Sequence, residues 1–177
     1  MEDITNFSEQ LVIRELQPAD VFKRVTIIVG TALLSLALFF LGVVLTGWFF
    51  ILWMLGIGAI YLGYRIYTST YVEYEYIVTG NELDIDKIIA QRKRERLITV
   101  KLSKFKSISR SEEFEPSDDD ATVVLAYGED SEDWCAEVEH DSIGDVRLCF
   151  SPNKRTLLTM NQYLPAKLRL DIDESEE

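Results

Sequence analysis

Forty consecutive residues, Val25 to Tyr64, carry no charged side chain. One crossing of a bilayer core about 30 Å thick takes roughly 20 apolar residues, so this run has the length of two crossings. It breaks most readily at Thr46-Gly47, where a tight turn is chemically easiest. The expectation is a transmembrane helical hairpin within residues 18–67, with spans of about 25–45 and 48–67 joined by a very short loop.

The flanks fit two crossings. Trp48, Phe49, Phe50 and Trp53 gather near the turn, and Tyr61, Tyr64 and Tyr67 near the far end of the second span. Aromatic rings of this kind favour both membrane interfaces. Lys23 and Arg24 precede the first span and Arg65 closes the second, while the turn has no charge. The positive-inside rule then places both termini in the cytoplasm. The expected location is the cytoplasmic membrane, with the chain multi-pass and the lipid bilayer its first partner. Gly56, Ala59 and Gly63 line one strip of the second span, which permits close helix approach and predicts that the hairpin packs on itself, with an oligomer interface as the alternative. No Asp, Glu, Lys, Arg or His lies between Val25 and Tyr64, so a proton relay or ion pathway has no candidate group there.

Charge is distributed unevenly around this segment. The formal net charge is −12, yet residues 65–110 hold ten bases against six acids, and residues 111–177 hold five bases against nineteen acids. The basic part adjoins the apolar run and the acidic part lies far from it in sequence. Two cysteines and one histidine, His140, are too few for a disulfide framework or a zinc spacing. The N-terminus, with Glu2 and Asp3, lacks the basic n-region of a cleaved signal peptide. Ile4, Phe7 and Leu11, extended by Val12 and Leu16, fall at helical spacing, which predicts an amphipathic juxtamembrane helix within residues 1–17, ended by Pro18, with a frayed terminus as the alternative.

After Tyr67 the period changes from helical to alternating. Val72, Tyr74, Tyr76 and Val78 alternate with Glu73, Glu75 and Ile77, the pattern of a half-buried strand. Gly80-Asn81 is a hairpin signal and implies the pairs Thr79–Glu82, Val78–Leu83 and Tyr76–Ile85. That register puts Leu83, Ile85 and Ile89 on the apolar face and Asp84 and Asp86 on the acidic one. Further strands are expected at about 94–101, 102–109, 121–127, 134–139 and 145–151, with a solvated acidic loop at 111–120. The last two strands would set Cys135 opposite Cys149 and Glu137 opposite Arg147. In a reducing cytoplasm two free thiols are expected there, with a redox pair as the alternative. Ser151-Pro152 predicts the start of a helix carrying Leu157, Met160 and Leu164 on one face. An acidic tail, 166–177, closes the chain, expected to be disordered from Asp171.

Seven short antiparallel strands, split four and three and followed by one amphipathic helix, follow the order of a pleckstrin-homology (PH)-like barrel. The run Tyr74-Glu75-Tyr76-Ile77-Val78-Thr79-Gly80-Asn81-Glu82-Leu83-Asp84-Ile85-Asp86-Lys87-Ile88-Ile89, then Arg92-Lys93-Arg94, resembles an uncharacterised family of Gram-positive bacterial membrane proteins with two N-terminal spans and a bacterial PH-like domain. Cys149-Phe150-Ser151-Pro152-Asn153 is similar to it as well. The resemblance implies an α+β membrane protein: a transmembrane hairpin, then a PH-like seven-stranded antiparallel barrel at 70–165 with a C-terminal helix. It implies no activity.

No phosphate-binding glycine loop, zinc-protease helix or activated nucleophile is found, so an enzyme, a cofactor or a small-molecule substrate is not expected. A nucleic-acid partner is not expected either. The candidate site is the cluster Lys87, Arg92, Lys93, Arg94 and Arg96. Strand geometry returns its turn towards the membrane, where anionic headgroups attract each nearby cation by about 1 kcal/mol. The expected function is a non-enzymatic, membrane-anchored adaptor or scaffold touching anionic lipid or a protein partner. The alternative is an accessory subunit of a transport, secretion or envelope-synthesis complex, docked through its spans.

Overall fold

The structure, a computed structural model, describes residues 6–14, 18–116, 120–128 and 132–172. The chain divides into two compact units, Leu16–Tyr71 and the pair of pieces Met1–Glu15 with Val72–Glu177.

The first unit is a helical hairpin. Helix α1, Pro18–Val44, and helix α2, Phe49–Thr68, are each long and apolar enough to cross a membrane. Pro18 takes the first helical position, where its missing N–H has no partner to lose. A short 3-10 turn, Thr46–Trp48, reverses the chain. The two helices pack through small residues. A Cβ on Gly56 would lie 2.6 Å from the Phe39 ring, one on Gly42 2.7 Å from Trp53, and one on Gly63 inside the Thr31 side chain. The strip expected on the second span thus closes the hairpin on itself. Outward side chains such as Leu33, Phe40, Phe50 and Met54 remain exposed. At the open end Arg24 donates to the Thr70 hydroxyl (2.9 Å) and carbonyl (3.2 Å) and lies 4.2 Å over the Tyr71 ring. The base of the hairpin is therefore tied as well as its middle.

Among the described residues the second unit holds eight strands, one more than the sequence suggested. The extra one is β1, Phe7–Ile13, where an amphipathic helix was expected. The others are β2 (Val72–Thr79), β3 (Glu82–Ile89), β4 (Lys93–Lys101), β5 (Phe105–Arg110), β6 (Thr122–Ala126), β7 (Trp134–His140) and β8 (Gly144–Phe150). One four-stranded sheet has the order β1-β2-β3-β4, and the other β5-β7-β8-β6. The second sheet is not wholly antiparallel, because β6 lies parallel to β8. Ile4 and Leu16 of the expected helix fall outside the described residues.

Strand β1 inverts the usual pattern. Ser8, Gln10 and Val12 are buried, while Phe7, Leu11 and Ile13 are exposed. Its buried polar groups have distant partners. Gln10 donates to the Ser151 carbonyl (3.1 Å) and accepts from the Asn153 N–H (2.7 Å), and Ser8 shares a hydrogen bond with Thr156 (3.1 Å). Those residues introduce helix α3, Lys154–Asn161, whose N-cap is Asn153, not Ser151. Its side chain accepts from the Thr156 N–H at 2.8 Å, a capping bond typically worth about 1 kcal/mol.

The hairpin of β2 and β3 has the expected register, Thr79↔Glu82, Val78↔Leu83 and Tyr76↔Ile85. Gly80 supplies the positive φ (57°) that its two-residue turn requires. Tyr76, Leu83, Ile85, Leu148, Phe150 and Met160 are the bulk of one shared core. The C-terminal segment also contributes. Leu168, Leu170 and Ile172 pack against that core, and the Asn161 amide pairs with both backbone groups of Leu170 (2.9 and 2.8 Å). The acidic tail therefore begins later than expected, and residues 173–177 lie outside the described residues.

The β3–β4 turn is strained. Ala90 and Gln91 both have φ near 53°, and Arg92 N–H donates to the Ile89 carbonyl at 3.1 Å. Two left-handed residues in succession make this a type I′ turn, which favours Asn-Gly. Each non-glycine residue there costs roughly 1–2 kcal/mol. The double change Ala90→Asn, Gln91→Gly should stabilise the domain by about 1–2 kcal/mol, read as a higher melting midpoint of the full chain. An unchanged or lower midpoint would contradict this reading of the turn.

Candidate functional site

The five cations named from the sequence do not form one surface. Register separates them. Lys87 and Lys93 share the core-side face of the first sheet near its end, with Lys87 opposite Glu95 and Lys93 opposite Ile89. Arg94 and Arg96 stand on the outer face, opposite Ile88 and Asp86, and Arg92 lies in the turn. A bulge at Leu97, between the pairs Ile85↔Ile98 and Asp86↔Arg96, preserves this split.

Arg94 and Arg96 are committed to carboxylates. Glu75 and Asp86 face each other across β2 and β3 on the outer side, only 4% and 2% exposed. Two like charges so placed repel and lose solvent, and they need cations over them. Arg94 supplies one, with Nη2 2.7 Å from Glu75 Oε1 and 2.5 Å from Oε2, and its Nε 3.9 Å from Asp86. Arg96 supplies the other, bonding Asp86 and reaching Asp84 at 2.8 Å. Burial raises the Glu75 carboxyl above the usual carboxylate range; the neighbouring Glu9 and Asp86 add to the rise and Arg94 opposes it. The bond to Asp86 holds Arg96 more firmly charged. These two arginines hold the sheet's outer face together.

What remains at the sheet end is smaller. Arg92 is exposed, Lys87 is half-buried, and Lys93 is exposed and paired with Glu95. Ile13↔Glu73 and Val72↔Ile89 show that β1 ends, β2 begins and the β3–β4 turn sits at that same end of the sheet. A second set of cations is neutralised at the other sheet, where Lys101 and Lys104 meet Asp141 and Lys106 meets Asp145.

Sequence reasoning missed a polar centre in the core. The Tyr76 hydroxyl donates to the Ala126 carbonyl and accepts from Ser151 N–H (3.2 Å). Ser151 Oγ accepts from Gly128 N–H (2.8 Å) and donates to Asp133 (2.6 Å). Burial pushes the Tyr76 phenol far up, so it stays a donor. Ser151-Pro152-Asn153 was the only signal, and it read as a helix cap. Among the described residues no group of three or more His, Cys, Asp or Glu is placed to hold a metal ion. His140 lies at the β7–β8 turn, where its Nδ1 accepts from Ser142 N–H (3.1 Å). The cysteines differ from expectation. They pair across β7 and β8 as the register required, and they are joined as a disulfide.

Two long apolar helices followed by two four-stranded sheets and a closing helix are the observed parts. The family described as a bacterial PH-like domain (DUF6106) matches residues 3–170. The chain belongs to this family. The match spans both helices and β1 as well as the later strands and α3. Comparison with the curated proteins and with the solved structures finds no match.

Proposed function

We propose that this PH-like protein is a non-enzymatic, membrane-anchored adaptor or scaffold whose domain contacts anionic lipid or a protein partner at the inner membrane face. One observation carries the reading. Strand β1 precedes the two apolar helices, β2 follows them, and the two strands pair along their full length from Phe7↔Thr79 to Ile13↔Glu73. Paired strands share a compartment, so the helices between them cross an even number of times. With Lys23, Arg24 and Arg65 at the flanks, that compartment is the cytoplasm.

The lipid contact falls to Arg92, Lys87 and Lys93, at the sheet end through which the chain leaves for α1 and returns from α2. At about 1 kcal/mol for each cation near anionic headgroups, and with Lys93 already paired to Glu95, they contribute on the order of 2 kcal/mol towards holding one edge of a tethered domain down. The strained Ala90-Gln91 turn beside them is the kind of backbone outlier that marks a working surface.

The full chain in nanodiscs tests this. Amide exchange across residues 87–93 should slow in anionic relative to neutral lipid. The difference should vanish when Lys87, Arg92 and Lys93 are all changed to Gln. Equal exchange in both lipids would remove the lipid contact. A second reading, an accessory subunit docked through its spans, draws on Gly30 and Gly58. Both have open space where a Cβ would stand, which leaves the backbone accessible to a further helix. Co-purification of a stoichiometric partner from mild detergent would favour it.

A further inference from the structure

The proposed function leaves one feature unused, the cysteine pair on the outer face of the second sheet. Cys135 and Cys149 are directly opposed on β7 and β8, with Cα atoms 4.2 Å apart. Seven residue pairs join these strands, from Trp134↔Phe150 to His140↔Gly144, and Ala136, Val138, Val146 and Leu148 beneath them are buried in the core. The hairpin thus has its ladder and its apolar face without the covalent bond. Two hydroxyls also converge on one sulfur. Tyr127 Oη lies 3.6 Å and Ser111 Oγ 3.8 Å from Cys135 Sγ. A thiol can use both contacts, giving its proton to Ser111 Oγ and accepting from the Tyr127 hydroxyl, whereas a disulfide sulfur has no proton to give. An O–H donated to the charged form favours the thiolate, which is the nucleophile.

We infer that Cys135 and Cys149 form a reversible redox site, a dithiol at rest that closes on exposure to a hydroperoxide and reopens by exchange with a small-molecule thiol, two equivalents of which are oxidised to their own disulfide. Cys135 is the attacking sulfur, its proton taken up towards Ser111 and its thiolate held by the Tyr127 hydroxyl, and Cys149 is the resolving thiol. The Cys135 sulfur attacks the peroxide, the O–O bond breaks, and an alcohol or water leaves with the Cys135 proton. Cys135 is then a sulfenic acid. The Cys149 sulfur displaces its hydroxyl, forming the S–S bond, and the hydroxyl leaves as water with the Cys149 proton. The thiol pair loses two electrons and the peroxide gains them. Both sulfurs are buried, Cys135 at 4% and Cys149 at 3% exposure, so the site suits a small oxidant better than a bulky disulfide. Closure staples β7 to β8 just ahead of Ser151, the residue that links this sheet to β1 through Gln10. The oxidised domain is therefore the more stable one.

The resting dithiol rests on the cytoplasmic placement proposed above, and the test separates the two. In cells making the full chain, acid quenching and mass-tagged alkylation should find two thiols before a brief hydrogen peroxide pulse, none after it, and two again on recovery. With the purified full chain, Tyr127→Phe should slow closure several-fold, while Cys149→Ser should stop at the trappable sulfenic acid. Closure should raise the melting midpoint by on the order of 10 °C. Two thiols throughout the pulse would overturn the proposal, as would a bond present before it. Protease access to a C-terminal tag, in intact and in opened cells, distinguishes the failures. A permanent bond with an external tag means the placement was wrong, and a permanent bond with an internal tag means the redox chemistry was.

Discussion

Gly128→Ala is expected to destabilise the domain by roughly 3 kcal/mol, the upper range for an overpacked core. The added Cβ would fall well inside contact with Val12 Cγ1, 2.9 Å from Val12 Cβ and 3.3 Å from the Ile13 carbonyl. Val12 is β-branched, so it has little rotamer freedom with which to withdraw. The neighbouring Arg14 bridges Gly128 from the end of β1, so β1 itself must move. Amide exchange of the full chain should show lost protection across Phe7–Ile13 together with a lower global midpoint. The double variant Val12→Ala, Gly128→Ala should cost less than the sum of its parts, because the two residues share one space. Wild-type stability for Gly128→Ala would mean that β1 is not held at this point.

Gln10→Leu should cost about 3 kcal/mol by a different route. The substitution is close in size, so it opens little cavity. It does leave the Ser151 carbonyl and the Asn153 N–H without their partners. Each buried group left unsatisfied costs about 1–3 kcal/mol. Because Asn153 caps α3, the loss should spread to that helix, and exchange should rise in Lys154–Asn161 as well as in β1. An effect confined to β1 would show that the link to α3 carries little. A change below about 0.5 kcal/mol, the usual size for a surface position, would show that Gln10 is not buried as described.

Both predictions concern the strand that periodicity misread. Ile4, Phe7 and Leu11 stand at helical spacing, and Ser8 and Gln10 look like solvent residues. In the folded chain Ser8 and Gln10 are the buried side, because their partners arrive from residues 151–156. No local window contains both halves of that arrangement. The candidate site shows the same limit. A run of basic residues is visible at 92–96, but only strand register shows that Arg94 and Arg96 turn towards Glu75 and Asp86 while Lys93 turns away. By contrast, the β2–β3 hairpin was legible to the residue pair, since Gly80-Asn81 and the alternation on either side are local signals that agree.

Sequence by itself determined what local chemistry and length can determine. Forty uncharged residues have the length of two helices, each apolar enough to cross a membrane. Gly56 and Gly63, part of the small-residue strip read from the second span, let those helices meet. Alternation placed the seven strands after the hairpin, and the family match over residues 3–170 agrees with the PH-like order they suggested. Tertiary structure alone decided that β1 pairs with β2, some sixty residues later in the chain, that β6 runs parallel to β8, and which cations are already paired. The reason is common to all three. Strand partners and buried polar groups are satisfied by residues far away in the chain, and their energy depends on that distant partner, not on the local run of side chains.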